Sequence, residues 1–153
     1  MQSARGLTLP PTPFGRETIE SILPHRAPFL LLDEVVELEP GRRVVASYMV
    51  RPDAWWFPGH FPARAVMPGV LIVEAMAQTG AVAVLVEEAN RGKIAFFAGI
   101  DECRFKRVVE PGEILVLTCE IDRLRGPIGR GKATAHVDGQ LAARGTLTFA
   151  VER

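Results

Sequence analysis

A histidine and a glutamate stand out in this sequence because their surroundings would hold them in place. His60 lies in Pro58-Gly59-His60-Phe61-Pro62, a stiff loop bounded by glycine and proline. Glu74 lies in an apolar stretch, residues 70–86, whose other polar side chains are Gln78 and Thr79. A carboxyl group in such surroundings is costly to bury unless it is paired or protonated. An imidazole and a perturbed carboxyl are the two groups that acid–base catalysis requires.

Both residues also have a less demanding explanation. A histidine in a rigid loop can simply be hydrogen-bonded within that loop, and for a lone histidine this is the better explanation. The loop of His60, however, leads directly into the segment that carries Glu74, and a stiff backbone holds a side chain at a fixed angle. A buried glutamate can be paired with an arginine, but no basic residue lies within one helical turn of Glu74. A functional role is therefore favoured for both.

Gly69 follows Pro68 at the expected start of a helix. The first N–H groups of a helix have no intrahelical partner, and together with the helix dipole they suit an oxyanion. The alternative is that Pro68-Gly69 merely begins the helix, and the two interpretations are evenly matched. His25, in a rigid turn, is better explained as structural, and we assign no role to His136.

Composition narrows the possible functions. The 153 residues contain 18 basic and 18 acidic side chains, which argues against a dedicated nucleic-acid binder. Seven basic residues nevertheless lie in two windows free of acid, and they form either a docking surface or a solvated strand face: Arg104, Lys106 and Arg107 in the first, and Arg123, Arg125, Arg130 and Lys132 in the second. Two cysteines, Cys103 and Cys119, are too few for a disulfide framework and indicate a reduced, cytoplasmic protein.

Other classes of protein lack support in the sequence. There is no serine-hydrolase elbow, phosphate-binding loop or dinucleotide fingerprint. The three histidines are far apart and lack the spacing of metal ligands, so we expect no metal. The apolar stretch at residues 70–86 is at the short limit for a membrane span and carries a charge in its interior, so we expect no membrane insertion. Residues 1–16 lack an apolar core of the signal-peptide kind and are expected to form a loose arm before a single domain, residues 17–153.

The expected elements are one short helix, one long helix and several strands. The short helix covers Glu17 to Leu23, and the long one begins near Gly69 and is closed by Asn90-Arg91-Gly92 with Gly92 as its cap. The long helix is apolar on nearly every face, as buried helices are, and carries Glu74 and Gln78 on one side. Strands are expected at 44–50, 94–98, 103–109, 113–121, 132–137 and 140–151, with a hairpin at Asp138-Gly139.

This order of elements predicts an α+β fold in which an antiparallel sheet curls around a buried helix. One chain of this length can hardly cover such a helix completely. A symmetric dimer would complete the cover.

The sequence resembles the FabZ family, the (3R)-hydroxyacyl-[acyl-carrier-protein] dehydratases of bacterial type II fatty-acid synthesis. The resemblance extends from Ile22 to Ala150 and rests on four blocks: Leu23-Pro24-His25-Arg26 with residues 28–33, Gly59-His60-Phe61-Pro62, residues 67–71 with Glu74-Ala75 and Ala77-Gln78, and Gly99-Ile100-Asp101 with Arg104-Phe105 and Pro111-Gly112. Two departures, Ala63 in place of the usual glycine and Ala65 in place of the usual proline, lie in the loop after His60.

The resemblance implies a hotdog fold, a long central helix wrapped by a curved antiparallel sheet. It also implies homodimers, which in the family are commonly assembled into hexamers as trimers of dimers. The family's catalytic histidine falls on His60 and its catalytic glutamate on Glu74, which would come from opposite subunits. The sister FabA-type enzymes carry aspartate where this chain has Glu74.

The implied reaction dehydrates a 3-hydroxyacyl thioester to a trans-2-enoyl thioester. His60 would be the base, and Glu74, protonated through burial, would assist the departing hydroxyl. The Gly69 N–H would hold the thioester carbonyl. No cofactor is expected beyond the phosphopantetheine that carries the substrate on an acidic acyl carrier protein, for which the basic windows are candidate docking surface. The alternatives are a hotdog acyl-thioesterase and a non-catalytic acyl-binding hotdog domain.

Overall fold

The computed structural model describes residues 9–152. Two helices, α1 (Arg16–Ile22) and α2 (Gly69–Leu85), and short 3-10 turns at Phe57–Gly59 and Glu88–Asn90 accompany seven strands. The strands are β1 (Phe14–Gly15), β2 (Glu34–Glu39), β3 (Arg43–Met49), β4 (Ala95–Phe105), β5 (Ile114–Arg125), β6 (Ile128–Val137) and β7 (Gln140–Val151).

All seven strands belong to one antiparallel sheet in the order β1-β2-β3-β5-β6-β7-β4. Helix α2 contacts β3, β4, β5, β6 and β7, which requires the sheet to curl around it. The inward positions of the strands, such as Leu115, Leu117 and Cys119 on β5, alternate with exposed ones and form the core against the helix. The α+β architecture expected from the sequence is thus confirmed.

One protomer buries the long helix more completely than we expected. Fourteen of the 17 residues of α2 are buried, and the exceptions are Gly69, Val70 and Glu74. The expectation that a single chain could hardly cover this helix completely holds only for those three residues, because the sheet reaches around the rest of the helix. The edge strand β4 also carries exposed apolar side chains, four of which are between 41% and 55% exposed: Phe96, Phe97, Ile100 and Phe105.

Helix α2 ends at Leu85, earlier than the predicted closure at Asn90-Arg91-Gly92. After Val86 the backbone turns extended at Glu87. The carbonyl groups at this end have several partners: the Gly41 N–H donates to Ala83, Asn90 Nδ2 to Val84 and Arg91 Nε to Val86. Those bonds replace the backbone bonds that a longer helix would have made.

Strand β4 is one continuous strand where two were predicted. It pairs with β7 from Ala95 to Phe105, and two register shifts, between Phe97 and Gly99 and between Asp101 and Arg104, let the pairing continue. A bulge inserts a residue without ending a strand, so the turn-like Gly99-Ile100-Asp101 segment does not interrupt the ladder. The predicted strand at 103–109 accordingly ends at Phe105.

The two C-terminal hairpins differ in how closely they match prediction. The hairpin at Asp138-Gly139 is confirmed, with both residues at positive φ (49° and 76°), as a type I′ turn demands. The β5–β6 hairpin is longer than predicted, because β5 runs on to Arg125 and β6 begins at Ile128. The second basic window therefore occupies paired strands at this hairpin.

The sheet also reaches further towards the N-terminus than the predicted domain boundary. Phe14 and Gly15 pair with β2, the Phe14 side chain is buried, and α1 begins at Arg16, so these residues of the predicted arm belong to the domain. Residues 1–8 of that arm lie outside the described residues.

Burial raises the pKa of the Cys119 thiol to about 12. No helix in residues 9–152 is both long and apolar enough to traverse a bilayer.

Candidate active site

His60 lies at the end of the 3-10 turn Phe57–Gly59, and its ring is held from one side. Its Nδ1 is 3.1 Å from the carbonyl oxygen of Val66. A carbonyl oxygen can only accept, so Nδ1 carries the hydrogen and the neutral ring keeps its basic lone pair on Nε2. The ring of Phe61 stacks on the imidazole at 4.2 Å between centroids. This arrangement presents a fixed base.

A cavity of about 510 Å³ brings His60 together with the start of α2. Gly69 and Ile72 of the helix line it, as do Phe105 and the segment that follows β4. A Cβ added to Gly69 would lie 2.9 Å from the Phe105 ring, so glycine is needed for this close approach. The Gly69 N–H donates to no backbone or side-chain acceptor among residues 9–152. The cavity therefore contains a free N–H group at a helix N-terminus, as an oxyanion site requires.

Glu74 faces a different and much smaller cleft, of about 30 Å³. Its side chain is 17% exposed, so burial in the protomer is incomplete. Its Oε1 lies 3.5 Å from His25 Nε2 and accepts a hydrogen bond of 3.2 Å from Gln78 Nε2. The remainder of the cleft is apolar and includes Phe97 of β4. The expected burial of Glu74 is thus only partly achieved within one chain.

Within one protomer, His60 and Glu74 do not line the same cavity. The structure unites His60 with Gly69 on one side of the helix start, and places Glu74 in the cleft with His25 and Gln78. The two candidate acid–base residues therefore lie in separate cavities of one chain.

Sequence reasoning did not assign His25 to the site. We expected a structural histidine, and its Nε2 faces the Glu74 carboxyl group while its Nδ1 is buried without a partner among residues 9–152. The contact joins positions 49 residues apart, which no spacing rule reveals. The contact of Gln78 with Glu74 did have a sequence signal, since the two are four residues apart on one helix.

The seven basic residues that are candidates for docking lie in different parts of the structure. Lys106 and Arg107 line the His60 cavity. Arg107 donates to Glu113 at 2.6 Å and to Gln140; the hydrogen bond to Glu113 raises the pKa of Arg107 and holds that of Glu113 below its ordinary value. Arg104, on β4, is exposed.

The second basic window lies on β5 and β6, which β7 separates from β4. Arg130 pairs with Asp122 at 3.1 Å, and Lys132 lies opposite Glu120. Arg123 and Arg125 are exposed on the β5–β6 hairpin. The structure thus brings only part of the first window to the cavity.

Among residues 9–152, no three histidine, cysteine or acidic side chains converge in the manner of a metal site. Metal-free chemistry stays a prediction.

Comparison with known proteins identifies the family of this chain. The model of the FabA-like domain matches residues 23–146. Proteins described as 3-hydroxyacyl-[acyl-carrier-protein] dehydratase FabZ, from Staphylococcus carnosus (strain TM300) and Staphylococcus aureus (strain JH9), are each 60% identical over 141 residues, covering 92% of this chain and 97% of theirs.

A solved structure, described as the dehydratase heterocomplex ApeI:P from Xenorhabdus doucetiae, superimposes with a TM-score of 0.76 at 20% identity, covering 88% of this chain and 91% of that one. This likeness supports the hotdog fold that the resemblance implied. The two Staphylococcus proteins, at 60% identity over nearly the whole length, identify the family more specifically than the fold does. The chain belongs to the FabZ family of 3-hydroxyacyl-[acyl-carrier-protein] dehydratases.

Proposed function

We propose that this dehydratase of fatty-acid biosynthesis acts through His60 of one subunit and Glu74 of the partner subunit. The substrate is a (3R)-hydroxyacyl group on acyl carrier protein, and the products are the trans-2-enoyl thioester and water. The observation that carries the proposal is the bond from His60 Nδ1 to Val66, which leaves Nε2 free as a base in a cavity that also holds the start of α2.

His60 and Gly69 act on the same part of the substrate. The C2 proton of a thioester is weakly acidic, and its removal places negative charge on the carbonyl oxygen. His60 Nε2 takes the C2 proton while the N–H of Gly69, at the positive end of a 17-residue helix, holds that oxygen. Base and oxyanion donor line one cavity, as this step needs.

Glu74 of the partner subunit acts on the C3 hydroxyl. Hydroxide is a poor leaving group, so the carboxyl group donates a proton as the C3–O bond breaks, and water departs. The proton gained by His60 then has to return to Glu74 through solvent or the released water before the next turnover. Cover by the second subunit completes the burial that favours the protonated carboxyl group.

The edge strand β4 supports the shared site. Phe105, near one end of β4, lines the His60 cavity, and Phe97, near the other end, lines the Glu74 cleft. When two copies of an edge strand pair antiparallel about a two-fold axis, opposite ends of the strand meet. Such a dimer brings the His60 end of each protomer to the Glu74 end of the other and buries the exposed aromatic side chains of β4. Three dimers forming a hexamer remain part of this proposal.

The substrate reaches the site on the phosphopantetheine arm of the carrier protein. Lys106 and Arg107 beside the His60 cavity are the docking residues best placed for an acidic partner, and the second window is less well placed. No metal or redox cofactor takes part in the proposed steps. We place the reaction in the cytoplasm, in keeping with two free cysteines.

One assay separates the proposal from a thioesterase or a non-catalytic acyl-binding domain. The protein is incubated with a 3-hydroxybutyryl thioester and, in a second reaction, with the crotonyl thioester. Enoyl absorbance and free thiol are followed separately. A dehydratase raises enoyl absorbance from the first and lowers it from the second without releasing thiol. Thiol release would identify a thioesterase, and no change in either signal would leave only acyl binding.

A further inference from the structure

Gln78 is buried deep inside the protein although it is polar. Its side chain is 1% exposed, on the face of α2 that carries Glu74. A buried amide is costly unless its hydrogen-bonding groups find partners. Gln78 has three: Oε1 accepts from the Leu31 N–H at 2.8 Å, and Nε2 donates to the Phe29 carbonyl at 2.9 Å and to Glu74 Oε1 at 3.2 Å.

The two backbone partners fix which way the amide points. The N–H of Leu31 can only donate, so it must face the amide oxygen. The carbonyl of Phe29 can only accept, so it must face the amide nitrogen. Rotating the amide by half a turn would break both bonds. The backbone at residues 29–31 therefore forces the second N–H of Gln78 towards Glu74.

Because the second N–H of Gln78 can only point at Glu74 Oε1, the two oxygens of this carboxyl group are not equivalent. Oε1 accepts from Gln78 and also lies 3.5 Å from His25 Nε2. In a protonated carboxyl group the oxygen without the hydrogen is the better acceptor, so the Gln78 N–H at Oε1 favours the carboxyl hydrogen on Oε2. The other elements at this cleft contribute Ala95, Phe97 and Phe149, none of which is charged, and His25 is the other titratable side chain facing Glu74 among residues 9–152.

We propose that Gln78 is a positioning residue that anchors Glu74 by Oε1 and so reserves Oε2 for proton exchange with the substrate. The inference rests on the catalytic assignment of Glu74 made above. Gln78 touches no substrate in this scheme. Its amide is held by the backbone at residues 29–31 and in turn holds the carboxyl group of Glu74 in place.

The test uses Gln78→Met, which keeps an unbranched side chain of similar length and removes the donor. Without its anchor, Glu74 can rotate and carry its hydrogen on either oxygen. We expect kcat to fall about 3- to 10-fold, the scale of a hydrogen bond between uncharged groups, with little change in KM. Thr79→Val is the matched control, because Thr79 is the neighbouring buried polar residue and its hydroxyl bonds to the Ala75 carbonyl of its own helix. That control should keep its kcat.

The decisive comparison repeats Gln78→Met in a Glu74→Gln background. If Gln78 acts through Glu74, the second substitution should cost little further activity there. An equal loss of kcat in both backgrounds would mean that Gln78 supports only the fold, and a fully active Gln78→Met would also overturn the proposal. A fully active Glu74→Gln would instead overturn the assignment of Glu74, so the two failures are distinguishable.

A measurement on protein with Gln78 intact covers the case in which Gln78→Met does not fold. The side-chain amide signals of Gln78 are compared by NMR between the unmodified protein and Glu74→Ala, which removes the acceptor. We expect the Gln78 N–H signal that faces Glu74 to move towards values typical of an N–H without this hydrogen bond. An unchanged signal would show that Gln78 does not engage Glu74 in solution.

Discussion

At the scale of single residues, the chemistry depends on which atom of each side chain is left free. The carbonyl oxygen of Val66 accepts a hydrogen bond from His60 Nδ1, and Gln78 Nε2 donates one to Glu74 Oε1. What remains is one lone pair on Nε2 and one oxygen, Oε2, for the substrate. Uncharged groups help to orient both side chains: a backbone carbonyl for His60 and an amide for Glu74.

The first prediction concerns the two side chains that move protons. His60→Ala and Glu74→Gln should each lower turnover at least ~100-fold, the usual scale for general acid–base groups. Because the two act in one event, the double substitution should cost much less than the product of the single losses. Steady-state kinetics on a 3-hydroxyacyl thioester measures all three, with circular dichroism as the control for folding. Near-normal turnover in folded Glu74→Gln would remove Glu74 from the mechanism.

The sequence indicated some of these residues and concealed others for a physical reason. His60 and Glu74 were recognisable because a rigid loop and an apolar helix are local features of the chain. His25 was not, since its contact with Glu74 crosses 49 positions and depends on how the segment before β2 folds back onto α2. The orientation of the Gln78 amide, with its N–H groups towards Phe29 and Glu74, likewise depends on a distant backbone segment, residues 29–31.

At the scale of elements, the start of α2 and the end of β4 fit together closely. Gly69 has no side chain, and the Phe105 ring fills the space that a Cβ would need. The helix N-terminus is thereby held against the cavity wall. The bulges in β4 decide where Phe105 falls, and a pattern of residue types does not predict bulges well, so two strands were expected there.

The second prediction tests this fit. Gly69→Ala places a methyl group 2.9 Å from the Phe105 ring and should displace the helix start or the ring, lowering kcat by roughly 10-fold or more, the scale of a misplaced oxyanion donor. Phe105→Leu in the same protein makes room and should recover part of the loss. Phe105→Leu alone serves as the control for the effect of a smaller side chain. No recovery in the double variant would show that Gly69 matters for another reason than this contact.

At the scale of the whole molecule, the placement of charge matters more than its total. The chain is neutral overall. Lys106 nevertheless lines the His60 cavity, whereas the second basic window lies on the β5–β6 hairpin. Sequence spacing could not separate these windows, because their distance from the cavity depends on strand register.

The third prediction follows from that separation. Lys106→Glu should raise the apparent KM for an acyl-carrier-protein substrate on the order of tenfold at low salt and less at high salt, because docking charges are screened. A small thioester analogue should be almost unaffected, since it enters without docking. Arg125→Glu, an exposed reversal on the distant hairpin, is the matched control. A larger effect from Arg125→Glu would assign docking to the second window, and equal losses on both substrates would indicate a role in the fold.

The dimer rests on different grounds from those that the sequence suggested. An incompletely covered helix was the expected reason, but one protomer covers 14 of the 17 residues of α2. The reasons that remain are the exposed aromatic side chains of β4 and the separation of His60 from Glu74. Both are properties of the folded chain, since they depend on strand order and on which cavity each side chain faces.

The fourth prediction tests whether two subunits share each site. His60→Ala and Glu74→Gln chains are co-expressed with different tags, and the mixed dimer is isolated through both. In a two-fold dimer with shared sites, one site of the mixed dimer pairs an intact His60 with an intact Glu74, while the other lacks both. The mixed dimer should therefore regain about half of the unmodified activity, and a random one-to-one mixture about a quarter. If each site were built within one protomer, every site in the mixture would lack one residue, and activity would stay at the level of the parent variants.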